Sequence, residues 1–204
     1  MEQDGALITS LFTLHRIAYS IKEDRNDMAT WNSRGLRGST LEDMINKTNE
    51  KYRENGLALI QKIPTPITPI KMEPETRHIT LAYFEQKSTV DYIGAVQGIP
   101  VCFDAKECAS DTFALQNIHP HQVAFMQDFE KQGGIAFLLI YYTGRNLILY
   151  LPFRDMIRFW ERAQNGGRKS FRFEEVDLSY QIEAGHGVFV PYLEAIQKDL
   201  DARD

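Results

Sequence analysis

Apolar residues along this chain recur at helical spacing in some segments and at strand spacing in others. Steps of three and four between apolar positions predict an amphipathic helix over residues 6–22. A second helix is predicted to start after Ser39 or Thr40, which can cap it, and to stop at Asn55-Gly56. Helices are also predicted over residues 119–131 and 152–163, and a short final helix opens at Pro191.

Strand patterns separate these helices. Short runs rich in β-branched and aromatic residues predict strands over residues 57–63, 78–84, 90–95, 99–105, 135–142 and 147–151. Val96-Gln97-Gly98 joins two of them, which indicates a hairpin with glycine at its turn. Residues 135–142 are almost wholly apolar, as expected at the centre of a sheet. The order predicts an α/β fold in which helices flank a mixed β-sheet.

A proline-rich segment interrupts the strands. Residues 64–69 read Pro-Thr-Pro-Ile-Thr-Pro, and each proline removes a backbone donor that a central strand would need. This segment is therefore expected to project as an arm over about residues 64–77. The predicted organisation is a helical N-terminal extension, residues 1–30, followed by one domain, residues 31–204.

Composition narrows the class of protein. Hydrophobic residues make up 43% of the 204 residues and charged residues 25%, as in ordinary folded domains. No apolar run approaches the roughly 18 residues of a membrane span, and the first residues lack the basic region of a secretory signal, so a cytoplasmic protein with no membrane partner is expected. The net charge is −5, but the basic residues concentrate in 145–172, where an anionic partner could bind.

The predicted hairpin carries the residues with the clearest chemistry. Asp91 begins one strand, and Asp104 and Lys106 lie two apart near the end of the next, hence on one face. Two carboxylates at a strand end can bind Mg²⁺ through oxygen, and the Ala105 carbonyl could add a ligand. A bound metal would polarise a phosphoryl oxygen while Lys106 orients the attacking water, which describes phosphodiester hydrolysis. Glu42, early on the preceding helix, could complete the cluster.

On spacing alone, a solvated hairpin with surface charges is the more common explanation for such residues. The order is more informative: an acidic helix residue, a strand, a proline arm and then the Asp91 and Asp104-Ala105-Lys106 hairpin is the order found in nucleases of the restriction-endonuclease-like superfamily. Several longer strings, spread over residues 34–195, closely resemble the RecU family of Holliday junction resolvases. They are RGSTLED at 37–43, KIPTP at 62–66, AYFEQKSTVDY at 82–92, FDAK at 103–106, LQNIHPHQ at 115–122, FWER at 159–162 and GRKS at 167–170.

The resemblance implies a restriction-endonuclease-like fold and a homodimer that cuts two strands of a four-way DNA junction, with Mg²⁺ or Mn²⁺ as cofactor. The proline arm would be the family's stalk, which enters the junction centre. Asp91, Asp104 and Lys106 match the family's catalytic residues, and Glu42 matches its acidic helix residue. A recombinase is a further candidate partner.

The resemblance also implies DNA-binding residues: Arg37, Lys62, Thr65, Arg77 and, close to the cleaved phosphate, Gln116. One departure concerns the metal site, where the family usually has Glu at the position of Asp104. A shorter carboxylate leaves open a second hypothesis, a branched-DNA-binding recombination accessory factor that cleaves poorly.

Overall fold

The structure is a computed structural model that describes residues 40–64, 67–84, 89–185 and 187–203. The predicted N-terminal extension lies outside these residues, as do Arg37 and Thr65. Within the described ranges, no helix is long and apolar enough to cross a membrane.

Four helices and ten strands make up the described fold. The helices are α1 (Leu41–Glu54), α2 (Pro120–Lys131), α3 (Phe153–Gln164) and α4 (Leu193–Asp201). The strands are β1 (Ala58–Lys62), β2 (Ile67–Met72), β3 (Ile79–Phe84), β4 (Tyr92–Val96), β5 (Ile99–Cys108), β6 (Thr112–Ala114), β7 (Ile135–Tyr142), β8 (Leu147–Pro152), β9 (Ser170–Arg172) and β10 (Gln181–Ile182). The main helices and strands that were predicted within the described residues are confirmed. Strands β6, β9 and β10 were not predicted, and β2 was predicted only as part of an extended arm.

Six strands form the central sheet, in the order β1-β4-β5-β7-β8-β10. All neighbours are antiparallel except β5 and β7, which run parallel and are joined through α2. The hairpin of β4 and β5 turns at Gln97 and Gly98, which both have positive φ, as a two-residue turn of this kind requires. The predicted mixed sheet flanked by helices is therefore confirmed.

An aromatic ladder crosses four adjacent strands on one face of the sheet. Tyr92, Phe103, Phe137 and Tyr150 stack in sequence, with ring centroids 4.7, 4.7 and 4.3 Å apart. Helices α1 and α4 cover this face, since the Tyr92 hydroxyl reaches α1 and the Tyr150 hydroxyl reaches α4. Helices α2 and α3 contact each other and cover the opposite face. The ladder fixes the register of β4 against β5, and with it the positions of Asp91 and Asp104.

The proline arm folds as a two-stranded ribbon. Strands β2 and β3 pair only with each other within the described residues, and do not join the central sheet. Large apolar side chains of the ribbon are about half exposed: Ile67, Ile70, Met72, Ile79, Leu81 and Tyr83. The ribbon includes most of the arm predicted over residues 64–77, and it extends to Phe84 because the strand predicted over 78–84 forms its second strand.

Candidate active site

Asp91 and Asp104 lie opposite each other just beyond the last ladder pair of β4 and β5. Tyr92 pairs with Phe103, so the next antiparallel pair brings Asp91 against Asp104. Each carboxylate binds the backbone of the other strand: the Asp91 amide donates to Asp104 Oδ1 at 2.9 Å, and the Ala105 amide donates to Asp91 Oδ2 at 2.9 Å. Because side chains alternate along a strand, both carboxylates leave the sheet on the face opposite the aromatic ladder.

Lys106 completes this group, as the sequence predicts. Its ammonium lies 2.7 Å from Asp104 Oδ2, with 19% of the lysine side chain exposed and none of the aspartate side chain. Asp104 Oδ2 accepts no well-oriented hydrogen bond. Its contact with Lys106 is therefore an ion pair that is not also a hydrogen bond. Asp91, Asp104 and Lys106 are thus brought together.

The pKa of Asp104 is raised to about 6, chiefly by burial and then by the neighbouring Asp91 carboxylate, while the Lys106 charge opposes both effects. A buried carboxylate beside another carboxylate is unfavourable for folding, yet two such oxygens suit a divalent cation. The negative charge of this pair is therefore typical of a site that binds a cation rather than of a structural salt bridge.

The carboxylate of Glu42 does not contact the Asp91 and Asp104 pair. Glu42 lies in the first turn of α1, on the ladder face, and its Oε2 is 2.5 Å from Lys62 Nζ at the end of β1. Both side chains are a little under half exposed. Among the described residues, no group of three or more His, Cys, Asp or Glu side chains has the geometry of a metal site. Glu42 is thus paired with Lys62, which is one of the predicted DNA-binding residues.

A capping box orders the first turn of α1, and two hydrogen bonds tie this helix to the strands that carry the site. Thr40 and Asp43 form a reciprocal capping box at the first turn. The Tyr92 hydroxyl donates to Asn46 Oδ1 at 3.0 Å, and the Leu41 amide donates to Glu107 Oε1 at 2.8 Å. Sequence reasoning missed Tyr92 and Glu107. Their positions in the sequence could have indicated them. Tyr92 follows Asp91 and Glu107 follows Lys106, so each faces the opposite side of the strand from its neighbour.

Three of the five predicted DNA-binding residues fall within the described residues, at the ribbon and in a separate turn. Lys62 ends β1, immediately before the ribbon, and Arg77 lies in the turn between β2 and β3 with φ of 56°. Gln116 is exposed in a short 3-10 turn between β6 and α2. Arg37 and Thr65 fall outside the described residues.

Much of the basic segment 145–172 is already paired with acids of the same chain. Arg145 binds Asp111, Arg154 binds the buried Asp199, and Glu175 holds both Arg162 and Arg168. The sequence suggested a surface for an anionic partner here. In the structure, a phosphate would have to compete with these carboxylates.

Comparison of the sequence with known protein families shows the family of this chain. The model of the recombination protein U family, RecU, matches residues 36–198. The chain belongs to the RecU family. A Holliday junction resolvase RecU from Pediococcus pentosaceus is 41% identical over 174 residues, which cover 82% of this chain and 86% of the relative. Others from Geobacillus sp. and Limosilactobacillus reuteri are 38% and 40% identical, and each match covers at least 80% of this chain and 84% of the relative.

The RecU match includes every predicted site residue, from Arg37 to Gln116. Among solved structures, Archaeoglobus fulgidus Hjc, a Holliday junction resolvase, is similar with a TM-score of 0.32 and 8% identity, over 54% of this chain and 78% of that one. No conclusion about the fold or function of this chain is drawn from a similarity at this level. The family rests on sequence, and the candidate site rests on the contacts of Asp91, Asp104 and Lys106.

Proposed function

We propose that this protein is a Holliday junction resolvase, an endonuclease that cuts four-way DNA junctions by hydrolysing phosphodiester bonds. The observation that carries the proposal is the convergence of Asp91, Asp104 and Lys106 at the end of the β4-β5 hairpin. The relatives that match this chain over most of their length are named Holliday junction resolvase RecU. Two acids and a lysine at one strand end supply the groups that this hydrolysis needs.

The residues present fit Mg²⁺, or Mn²⁺ in its place. Mg²⁺ is usually bound by one or two carboxylates, with water and substrate phosphate completing its shell. Asp91 and Asp104 would supply the carboxylates, and the Ala105 carbonyl would face the same side of β5 as the Ala105 amide that binds Asp91. When bound, the ion would polarise the phosphoryl oxygen and lower the pKa of a bound water.

The remaining roles fall to side chains of the chain itself. The Lys106 ammonium can donate hydrogen bonds to the attacking water or to a phosphate oxygen, and its charge favours the negative charge that develops in the transition state. Its ion pair with Asp104 keeps it at the site before substrate arrives. The cross-strand hydrogen bonds of Asp91 and Asp104 fix both carboxylates in advance.

DNA recognition is assigned to the stalk and its base. Lys62 stands at the end of β1, before the ribbon, and Arg77 stands in the ribbon turn, so these side chains could contact backbone phosphates near a junction centre. Thr65 and Arg37 are assigned to DNA binding from the sequence alone. Gln116 follows β6, and we assign it to the DNA close to the cleaved bond. The paired arginines of residues 145–172 are expected to contribute less to DNA binding.

The proposal includes a homodimer, because symmetric cutting of two strands needs two active sites. A cytoplasmic location is part of the same proposal, and a recombinase is a further candidate partner. Glu42 is assigned a supporting role through Lys62 and the first turn of α1, rather than direct contact with the two aspartates.

The test is a cleavage assay on a labelled four-way junction and a linear duplex of matched sequence, each with Mg²⁺, with Mn²⁺ and with a chelator. Metal-dependent paired nicks on the junction alone are expected. Tight junction binding without nicks under every metal condition would overturn the resolvase proposal and favour the accessory-factor hypothesis. In that case Asp104→Glu, which restores the family's usual residue, becomes the decisive variant.

A further inference from the structure

Glu107 directly follows the Asp104-Ala105-Lys106 group but points to the other face of β5. Its side chain crosses to α1, where Oε1 accepts the backbone amide of Leu41 at 2.8 Å. Leu41 is the first residue of α1, and an amide at this position has no partner within the helix. The contact therefore joins the catalytic strand to the start of α1 over 66 positions of sequence.

The strand needs support at this point. β5 pairs with β7 from Val101 to Cys108, but it pairs with β4 only as far as Phe103. Beyond Phe103, one side of β5 has no strand neighbour among the residues that the structure describes, and this is where Asp104 and Lys106 lie. The Ala105 amide on that side binds Asp91, and the next anchor along β5 is the Glu107 side chain.

The partner of Glu107 is equally relevant to the site. The first turn of α1 carries Glu42, whose carboxylate pairs with Lys62 at the stalk base. The capping box of Thr40 and Asp43 satisfies that turn internally but makes no link to the sheet. Glu107 adds a link from that turn to β5, beside the contact that Glu42 makes with Lys62 of β1. Its negative charge is also favourable at a helix N-terminus.

We propose that Glu107 is a positioning residue of the active site: by accepting the Leu41 amide, it fixes the first turn of α1 against the β5 segment that carries Asp104 and Lys106. This inference rests on the proposed nuclease function. Reaction geometry has to be held within a fraction of an ångström, so loss of the anchor slows cleavage more than it weakens junction binding.

Three substitutions separate geometry from charge. Glu107→Gln keeps the length and an acceptor oxygen but removes the charge, Glu107→Asp keeps the charge but shortens the reach, and Glu107→Ala removes both. Glu50→Ala, on the exposed side of α1, is the matched control. The single-turnover cleavage rate and the junction Kd, the latter measured without divalent metal, are compared with the thermal midpoint of each variant.

With the anchor as described, Glu107→Gln and Glu50→Ala stay within about twofold of the parent protein, while Glu107→Asp and Glu107→Ala lose about tenfold in cleavage rate with Kd within about twofold. Amide exchange at Leu41, measured by NMR without metal or DNA, becomes faster in the Asp and Ala variants only. If Glu107→Ala does not fold, the Asp and Gln pair gives the same contrast.

A Gln variant as slow as the Asp variant would overturn the inference, because an uncharged oxygen that still reaches the Leu41 amide would then not be enough to hold the site. Unchanged cleavage or unchanged Leu41 exchange in the Asp variant would overturn it as well. Failure of the parent protein to cut any junction would count against the proposed function instead, whereas the Leu41 exchange would still report on the anchor.

Discussion

The backbone amide of Asp91 donates a hydrogen bond to the carboxylate of Asp104, which is fully buried, across the open end of the β4-β5 hairpin. The bond ties the backbone of one acidic residue to the side chain of the other. It places two carboxylates together at a cost in solvation, which a folded protein accepts where a cation or a reaction requires it.

The cost of burying Asp104 should be visible in stability. Its pKa of about 6 in the folded protein lies above the value of about 4 expected for an unfolded chain, so the native state loses stability as pH rises from 4 through 6. Asp104→Asn removes this loss. In chelator, urea unfolding should show the Asn variant more stable than the parent by on the order of 1–3 kcal/mol at pH 8, and nearly equal at pH 4. A gain that does not change with pH would contradict this account.

Lys62 should contribute to DNA affinity through charge. Replacing Lys62 by Gln removes one cation at the stalk base, and the slope of log K against log salt should become shallower by about one unit. Lys51→Gln is the matched control, because Lys51 also pairs with a glutamate, Glu54, but at the far end of α1. Junction binding titrations at several salt concentrations measure both slopes; equal slopes for the two variants would exclude Lys62 from the DNA surface.

Arg77 separates DNA binding from folding. It lies in the stalk turn with a left-handed φ of 56°, a conformation that glycine adopts without strain. Arg77→Gly should therefore leave the free energy of unfolding unchanged within about 1 kcal/mol. Junction affinity should still fall because a cation is lost from the stalk. A thermal melt and a binding titration test the two halves, and intact affinity would remove Arg77 from the proposed interface.

A buried polar network important for stability lies away from the site. Asp199 of α4 is fully buried and binds Tyr150, Arg154 and Arg203 at 2.8, 2.8 and 3.0 Å. Asp199→Ala removes the carboxylate that these side chains share, although Arg203 keeps Glu130 and Arg154 keeps the Tyr180 hydroxyl. The change should lower the free energy of unfolding by about 3–5 kcal/mol.

Asp128→Ala is the control for this prediction, since Asp128 is exposed in an ion pair with Lys131 and should cost less than about 1 kcal/mol. Chemical denaturation compares the two variants. Similar losses in both would show that the Asp199 network does not carry the stability assigned to it.

Local patterns correctly predicted that Asp91, Asp104 and Lys106 lie together. The two-residue turn at Gln97 and Gly98 sets the register of the hairpin, and strand alternation then places Asp91, Asp104 and Lys106 on one face. The proline-rich segment likewise predicted an arm outside the central sheet, because prolines remove the donors that central strands need.

Contacts between distant segments were not predictable in this way. Glu42 was expected to complete the metal cluster, but its direction depends on how α1 packs on the sheet, and it pairs with Lys62 instead. The arginines at helical spacing in α3 suggested an open basic face, yet Asp199 and Glu175, from segments that follow α3, neutralise two of them. Glu107 was missed because its partner, the Leu41 amide, is 66 positions away.

Single-turnover cleavage of a labelled four-way junction in Mg²⁺ by the parent protein and by Asp91→Asn tests the proposed active site. The variant keeps the shape of Asp91 and its backbone amide but loses a charged metal ligand. We expect paired, symmetric nicks by the parent, no detectable cleavage by the variant, and equal junction binding by both. Full cleavage by Asp91→Asn would contradict the assignment of the active site.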